Sequence, residues 1–293
     1  NLRSLFLLLI VITFIGSMII ANDMALITFL PLGYFALSVI KKEEYMAYLF
    51  VLQNISANLG GMLTPFGNPQ NLYLYSYFNI PTLEFCRIML PSFLLAVLLL
   101  VIACIPIKPI RFTLEDDFGE KLNIKKTVLY LVLFILSILI VFRIIPFVVG
   151  LVVIPVILFI VDREALKMVD YSLLGTFFFF FIFAGNLSRL DAVNTVISAL
   201  LQKDTLIVST LSCQLISNVP SAILLSRFTN DYPALLLGVN IGGTGTLVAS
   251  LASLITFSEF KVLYPNQTKK YLVIFTVANV IFLVTLTFAA KIF

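Results

Sequence analysis

The feature that most constrains this chain is a series of apolar runs too long for a soluble core. Residues 5–20, 88–105, 128–141, 148–161 and 271–290 contain no charged side chain. About 20 apolar residues make a helix long enough to cross a bilayer. Only 12% of the residues are charged, against about 25% in a soluble domain. The strands of a membrane barrel would alternate apolar and polar residues, and these runs do not. The chain therefore reads as an all-α polytopic membrane protein, and the lipid bilayer is its first partner.

Two short polar stretches of similar design interrupt the apolar background. The first is Ala21-Asn22-Asp23, followed by Asn58-Leu59-Gly60-Gly61-Met62-Leu63-Thr64-Pro65-Phe66-Gly67-Asn68-Pro69. The second is Ser217-Asn218-Val219-Pro220, followed by Asn240-Ile241-Gly242-Gly243-Thr244-Gly245-Thr246. Each pairs a small residue plus Asn, set between two apolar runs, with a downstream Asn-x-Gly-Gly-x-x-Thr. Residues 4–40 read as a re-entrant helical hairpin with its tip at Asn22, because an ordinary loop would hold more polar residues. An ordinary loop between two spans is the competing reading. Residues 45–78 read as a transmembrane helix broken by Gly and Pro, and 82–105 as a plain span. Irregular backbone at membrane depth is tolerated only where protein covers it or a cavity is lined by it.

Residues 106–126 are polar and mixed in charge and read as a cytoplasmic linker. Scaffold spans follow over 127–161, then a span over 171–184 and an amphipathic surface stretch over 185–204. A second hairpin over 205–228, a second broken helix over 232–257 and a last span over 271–291 complete the chain. Residues 1–105 thus form a first repeat, lacking part of its complement, and 127–293 a second. Threading with both ends of the first hairpin in the cytoplasm puts 13 of the 19 Lys and Arg inside and 6 outside, the expected bias. The second hairpin then opens to the other side, so the repeats are inverted, the transporter arrangement with its site at the midplane. Asn22 pairs with Asn218 at an offset of 196. On that offset residues 127–203 have no counterpart, which predicts that roughly 70–80 residues of N-terminal scaffold precede residue 1 in the parent protein.

The motifs suggest their own chemistry. An Asn side chain offers one acceptor and two donors. At a hairpin tip it stands beside the first backbone N–H groups and positive dipole end of the second helix. Four such helix starts would suit an anionic substrate. The expected substrate contacts are Asn22, Asp23, Thr64, Asn68, Ser217, Asn218 and Thr246. Carbonyls freed at the breaks would suit a small hard cation such as Na⁺, with Ser17, Asn22, Gly61, Asn218 and Gly243 as candidate ligands. A single Gly-Gly would read as a packing contact and a single Asn as a turn or cap. Their recurrence in the same order in both halves favours a site. Asp23 is a carboxylate at membrane depth and a functional candidate; capping of its own helix is the alternative. Its partner in the second half is Val219.

Other chemistry is excluded or unsupported. There is no His, and no nucleophile–base pair, metal cluster or phosphate loop, so an enzyme is not expected. No cofactor is expected other than possible Na⁺. Cys86, Cys104 and Cys213 are scattered and read as packing residues. The net charge of +4 reports topology rather than nucleic-acid binding.

The stretches Ala21-Asn22-Asp23-Met24-Ala25-Leu26, Asn58-Leu59-Gly60-Gly61, Thr64-Pro65-Phe66-Gly67-Asn68-Pro69-Gln70-Asn71-Leu72 and Ser217-Asn218-Val219-Pro220-Ser221-Ala222 resemble the ion transporter superfamily. This group holds divalent anion/sodium symporters, citrate-transporter-like permeases and arsenite pumps. The dicarboxylate branch has Ser-Asn-Thr at both tips. Both Asn are kept here, the first Ser is Ala21, and the two Thr are Asp23 and Val219. A sodium-ligating Ser of that branch falls on Ser17, and its second-half equivalent on Cys213. The resemblance implies a dimerising scaffold, hence a homodimer in the plasma membrane, and a transport domain that moves as an elevator. The function expected is secondary transport of a small anion, a di- or tricarboxylate, coupled to Na⁺ or H⁺. Arsenite or antimonite efflux and Na⁺/H⁺ exchange are the alternatives within transport. An anion channel or a membrane sensor is the alternative outside it.

Overall fold

The computed structural model describes residues 1–111, 124–169 and 171–292. Fifteen α-helices occur among the described residues. They are α1 (Leu2–Ile20), α2 (Asn22–Val39), α3 (Met46–Gly60), α4 (Pro69–Tyr77), α5 (Thr82–Cys104), α6 (Ile124–Val141), α7 (Phe147–Val161), α8 (Arg163–Lys167), α9 (Tyr171–Leu187), α10 (Asp191–Lys203), α11 (Thr205–Ile216), α12 (Asn218–Leu225), α13 (Tyr232–Ile241), α14 (Leu251–Leu263) and α15 (Thr268–Ala290). Among the described residues four helical segments are each long and apolar enough to cross a membrane: Leu2–Ile20, Asn22–Val39, Thr82–Cys104 and Pro265–Ala290. The chain is a multi-pass helical membrane protein. Most of the expected linker over 106–126 lies outside the described residues.

The chain divides into two units, Asn1–Leu114 with Phe180–Phe293, and Glu115–Phe179. In the smaller unit α6 and α7 pack through Gly150, where a β-carbon would meet Ile140. The Tyr130 hydroxyl donates to Asp162 at 2.9 Å. Phe147, Leu151 and Ile160 point outward, which costs nothing where the surroundings are hydrocarbon.

The larger unit is built on α3. Every residue of that helix except Tyr48 is buried, so it is enclosed on all sides rather than presenting one face to the surroundings. It packs against α1, α2, α5, α14 and α15. Phe50 meets Phe260 edge-on, and Phe260 stacks on Tyr271 at 4.6 Å. Four polar side chains, Gln53, Asn54, Ser56 and Asn58, are buried along the same helix.

Each half of this unit carries a helical hairpin and an interrupted helix. Hairpin α1–α2 turns on the single residue Ala21, and hairpin α11–α12 on Ser217. The arms of the first, 19 and 18 residues, reach about 28 Å. Those of the second, 12 and 8 residues, reach about 18 and 12 Å, well short of a crossing of about 30 Å. The interrupted helices are α3–α4, broken over 61–68, and α13–α14, broken over 242–250. The halves are interlocked. The second arm of each hairpin packs against the resumed helix of the other half, α2 against α14 and α12 against α4.

Both breaks lie against the first arm of their own hairpin through a glycine. A β-carbon on Gly60 would meet the Phe14 carbonyl oxygen and Ser17 Oγ; on Gly242 it would meet Cys213 Sγ at 2.8 Å. Backbone cannot yield as a flexible side chain does, so Gly60→Ala is expected to cost about 1–3 kcal/mol. The thermal unfolding midpoint of the detergent-solubilised protein measures this, and an unchanged midpoint would refute the close contact.

Candidate functional site

The two hairpin tips have the same local geometry. Ala21 sits at φ 66°, ψ 153° and Ser217 at φ 72°, ψ 159°. This region is populated almost only by glycine, and costs a side-chain-bearing residue about 1–3 kcal/mol. The following Asn is buried in both cases. Asn22 Oδ1 accepts the N–H of Asp23 at 2.9 Å, and Asn218 Oδ1 accepts that of Val219 at 2.9 Å. A backbone donor fixes which end of the carboxamide is oxygen. Both tips therefore turn their amide N–H groups away from their own helix.

Those N–H groups face the breaks. Asn22 Nδ2 donates to Asn58 Oδ1 at 3.2 Å, and the Asn22 backbone N–H donates to the Gly67 carbonyl at 3.0 Å. Asn218 Nδ2 lies 3.0 Å from where a Gly243 β-carbon would stand, and Asn58 Oδ1 lies 3.7 Å from the same point. Asn58 and Gly243 are thus the meeting place of both hairpins and both breaks. A β-carbon at Gly243 would crowd the Asn218 amide, which would have to shift by a few tenths of an ångström to make room.

A buried carboxamide network joins the breaks. Asn68 Nδ2 donates to the Asn58 carbonyl at 3.1 Å and to Asn240 Oδ1 at 3.0 Å. Gln70 Nε2 donates to the same Asn240 oxygen at 3.3 Å. Asn240 Nδ2 donates to Asn71 Oδ1 at 2.6 Å and to the Leu236 carbonyl at 2.8 Å. On the other side Asn54 pairs with Ser253 and Thr256 of α14, at 3.3 and 3.4 Å. Each break is also tied to its hairpin by a threonine. Thr64 Oγ1 donates to the Met18 carbonyl at 2.7 Å and Thr246 Oγ1 to the Gln214 carbonyl at 3.2 Å. Met18 and Gln214 are equivalent, each standing four residues before its tip Asn.

The family model described as "Citrate transporter" matches residues 1–234. The chain belongs to the citrate transporter family. It is 34% identical to the uncharacterized transporter MJ0456 of Methanocaldococcus jannaschii over 99% of this chain and 80% of that protein. It is 30% identical to the inner membrane protein YbiR of Escherichia coli over 82% of this chain and 65% of that protein.

In this citrate transporter family member the residues singled out from sequence are distributed as follows. Asn22, Asn218 and Gly243 gather around Asn58, and Asn68 reaches the same place through the Asn58 carbonyl. Ser17 faces Gly60, and its hydroxyl donates to the Phe14 carbonyl at 2.9 Å. The Gly61 carbonyl accepts from Asn71 at 3.1 Å. Ser217 Oγ lies 3.4 Å from both Asn218 Oδ1 and the Ala249 carbonyl. Thr64 and Thr246 turn their hydroxyls toward the hairpin arms, and Thr246 is exposed. Asp23 stands one residue beyond the first tip with a buried carboxylate oxygen that has no hydrogen-bond partner among the described residues.

Sequence reasoning passed over Asn58 as a site residue, and also Gln70, Asn71, Gln214 and Asn240. The available signal was the number of carboxamides at otherwise apolar positions, since a buried amide must find partners.

The tip conformation yields a direct test. Ala21→Gly removes the backbone strain, about 1–3 kcal/mol, and adds an entropic cost of about 0.5–1 kcal/mol. A net stabilisation of about 1 kcal/mol is expected at Ala21 and likewise for Ser217→Gly. Ala21→Val is expected to destabilise. Equilibrium or thermal unfolding reads both, and a destabilised Ala21→Gly would count against the positive φ at the tip.

Proposed function

We propose that the protein is a secondary active transporter of a small anion, a di- or tricarboxylate, driven by a cation gradient across the cell membrane. The observation that carries this reading is the pair of tip asparagines. Each is held by its own helix so that its amide N–H points to the place where the hairpins meet. The Asn218 amide makes no hydrogen bond there among the described residues. The unbonded Asn218 amide beside the N-terminus of α12, with the Asn22 amide that also serves Asn58 beside that of α2, forms a site for negative charge. The family's printed description, citrate transporter, names a compound of the same class.

The two hairpin-plus-break units are read as inverted repeats meeting near the membrane midplane. The arms of α11–α12 are too short to span, which supports a re-entrant second hairpin. The equal backbone angles at Ala21 and Ser217 support the same role for the first. The cross-packing of α2 on α14 and α12 on α4 supports movement of both hairpins as one body, the elevator form of alternating access. The unpartnered Asp23 oxygen supports a carboxyl that takes up and releases a proton during the cycle.

Purified protein in liposomes, given labelled citrate or succinate with an imposed Na⁺ or pH gradient, tests the reading. Asn22→Ala and Asn218→Ala each remove one hydrogen bond to a charged group, about 1.5–3 kcal/mol. Apparent affinity is expected to fall about 10- to 100-fold, with the amount of folded protein unchanged. Normal uptake by both variants would remove the tips from the site. Flux that follows the substrate gradient alone, with no cation stoichiometry, would make the protein a channel. Asp23→Asn is expected to alter the pH dependence of uptake; an unchanged profile would leave Asp23 an acid in the first turn of α2 with no part in proton transfer.

A further inference from the structure

A helix that breaks inside a membrane frees carbonyl oxygens that water cannot reach. At the first break the carbonyls of Gly61, Met62 and Thr64 converge on a single atom. It is Asn71 Nδ2, at 3.1, 3.3 and 3.2 Å. At the second break the carbonyls of Gly242 and Thr244, with that of Thr210 from the adjacent arm, converge on Gln214 Nε2 at 2.8, 3.1 and 3.1 Å. The far end of each carboxamide is fixed. Gln214 Oε1 accepts the Thr246 N–H at 2.8 Å, and Asn71 Oδ1 accepts from Asn240 at 2.6 Å. The nitrogen must therefore face the carbonyls in both cases.

Several backbone carbonyls around one centre form the coordination that a small hard cation takes. Here the centre is the partly positive NH₂ of a side chain. The two amides are not copies of one another. Asn71, on α4, aligns with Ser253 when Asn58 is set on Asn240; Gln214, on α11, aligns with Met18 when Asn22 is set on Asn218. Two unrelated positions have arrived at one arrangement, so satisfying the freed carbonyls is what the breaks require, not a relic of duplication. The second half adds a further mark against a hard cation: beside Gly242 it carries the thiol of Cys213 where the first half has the Ser17 hydroxyl beside Gly60.

We infer that Asn71 and Gln214 fill the two cation positions at the breaks with tethered amides, and that the protein binds no Na⁺ at either. The inference deepens the transporter reading and rests on it in one respect: the carbonyls of both breaks are then taken up by side chains of the protein and are closed to a coupling Na⁺.

The unfolding midpoint of the purified full chain, measured in NaCl, KCl and choline chloride at equal ionic strength, tests it directly. The unmodified protein is expected to show one midpoint in all three salts. Asn71→Asp and Gln214→Glu set a carboxylate against the carbonyl ring, so their midpoints are expected to fall and to be restored by Na⁺ more than by choline. A midpoint of the unmodified protein that rises with Na⁺ alone would overturn the inference, as would variants indifferent to Na⁺. If the acidic variants do not fold, Asn71→Ser and Gln214→Ser leave the same carbonyls around an open space and are judged by the same criterion. The liposome assay separates the two claims. Carboxylate uptake driven by a pH gradient without Na⁺ supports both. Uptake that requires a Na⁺ gradient overturns this inference and leaves the transporter reading intact. With no carboxylate uptake under any gradient the transporter reading fails, and the salt series decides the amide positions alone.

Discussion

Every part of the larger unit answers to one constraint: a peptide group in hydrocarbon must find its hydrogen bond inside the protein. An unbroken helix meets it automatically. Two broken helices and two one-residue turns do not, and the carboxamide side chains are placed where they fail. Asn22 and Asn218 accept from the second N–H of the helix after each turn, and Asn71 and Gln214 collect the carbonyls of each break. Asn68 takes the carbonyl of Asn58, and Asn240 orients Asn68, Gln70 and Asn71 together. Leaving one buried partner unpaired costs about 1–3 kcal/mol, comparable to the strain at each tip. The polar groups inside this membrane protein are therefore structural first, and the same groups that satisfy the backbone gather where the two hairpin tips and the two breaks meet.

Much of the fold was legible in the sequence because its signals are local. Apolar runs announce helices, Gly and Pro announce breaks, and a small residue plus Asn between apolar runs announces a tip. The expected hairpins over 4–40 and 205–228 correspond to α1–α2 and α11–α12, and the expected breaks fall after Gly60 and Ile241. The site was legible only where it had a motif. Asn240 and Asn58 are equivalent in the pattern, yet Asn58 receives the first tip while Asn240 clamps the other half's break. Nothing local distinguishes them, since their partners lie as many as 172 residues away. Gln214 belongs to no motif, and its role depends on a break 28 to 32 residues downstream. The backbone angles at Ala21 and Ser217 were also hidden, because sequence rules reserve that region for glycine.

The halves are alike in plan and unlike in detail. The first has Ser17 beside Gly60 and Asp23 after its tip; the second has Cys213 beside Gly242 and Val219 after its tip. The one carboxylate beside a tip thus belongs to the first half, while buried hydroxyls such as Ser209, Thr210 and Ser221 are more numerous along the second hairpin. The two tips share one backbone geometry, and the side chains beside them make their surroundings different.

The crossed packing of the hairpins has a consequence for how such a chain can change. Because α2 rests on α14 and α12 on α4, each half is completed by the other's surface, and neither presents a finished face of its own. A recombinant joining the first half of one homologue to the second half of another would have to match both crossings and the Asn240 cluster together. Substitutions at these contacts are therefore bound to travel in pairs, one from each half, and the family can diversify freely only where a side chain answers to its own half alone.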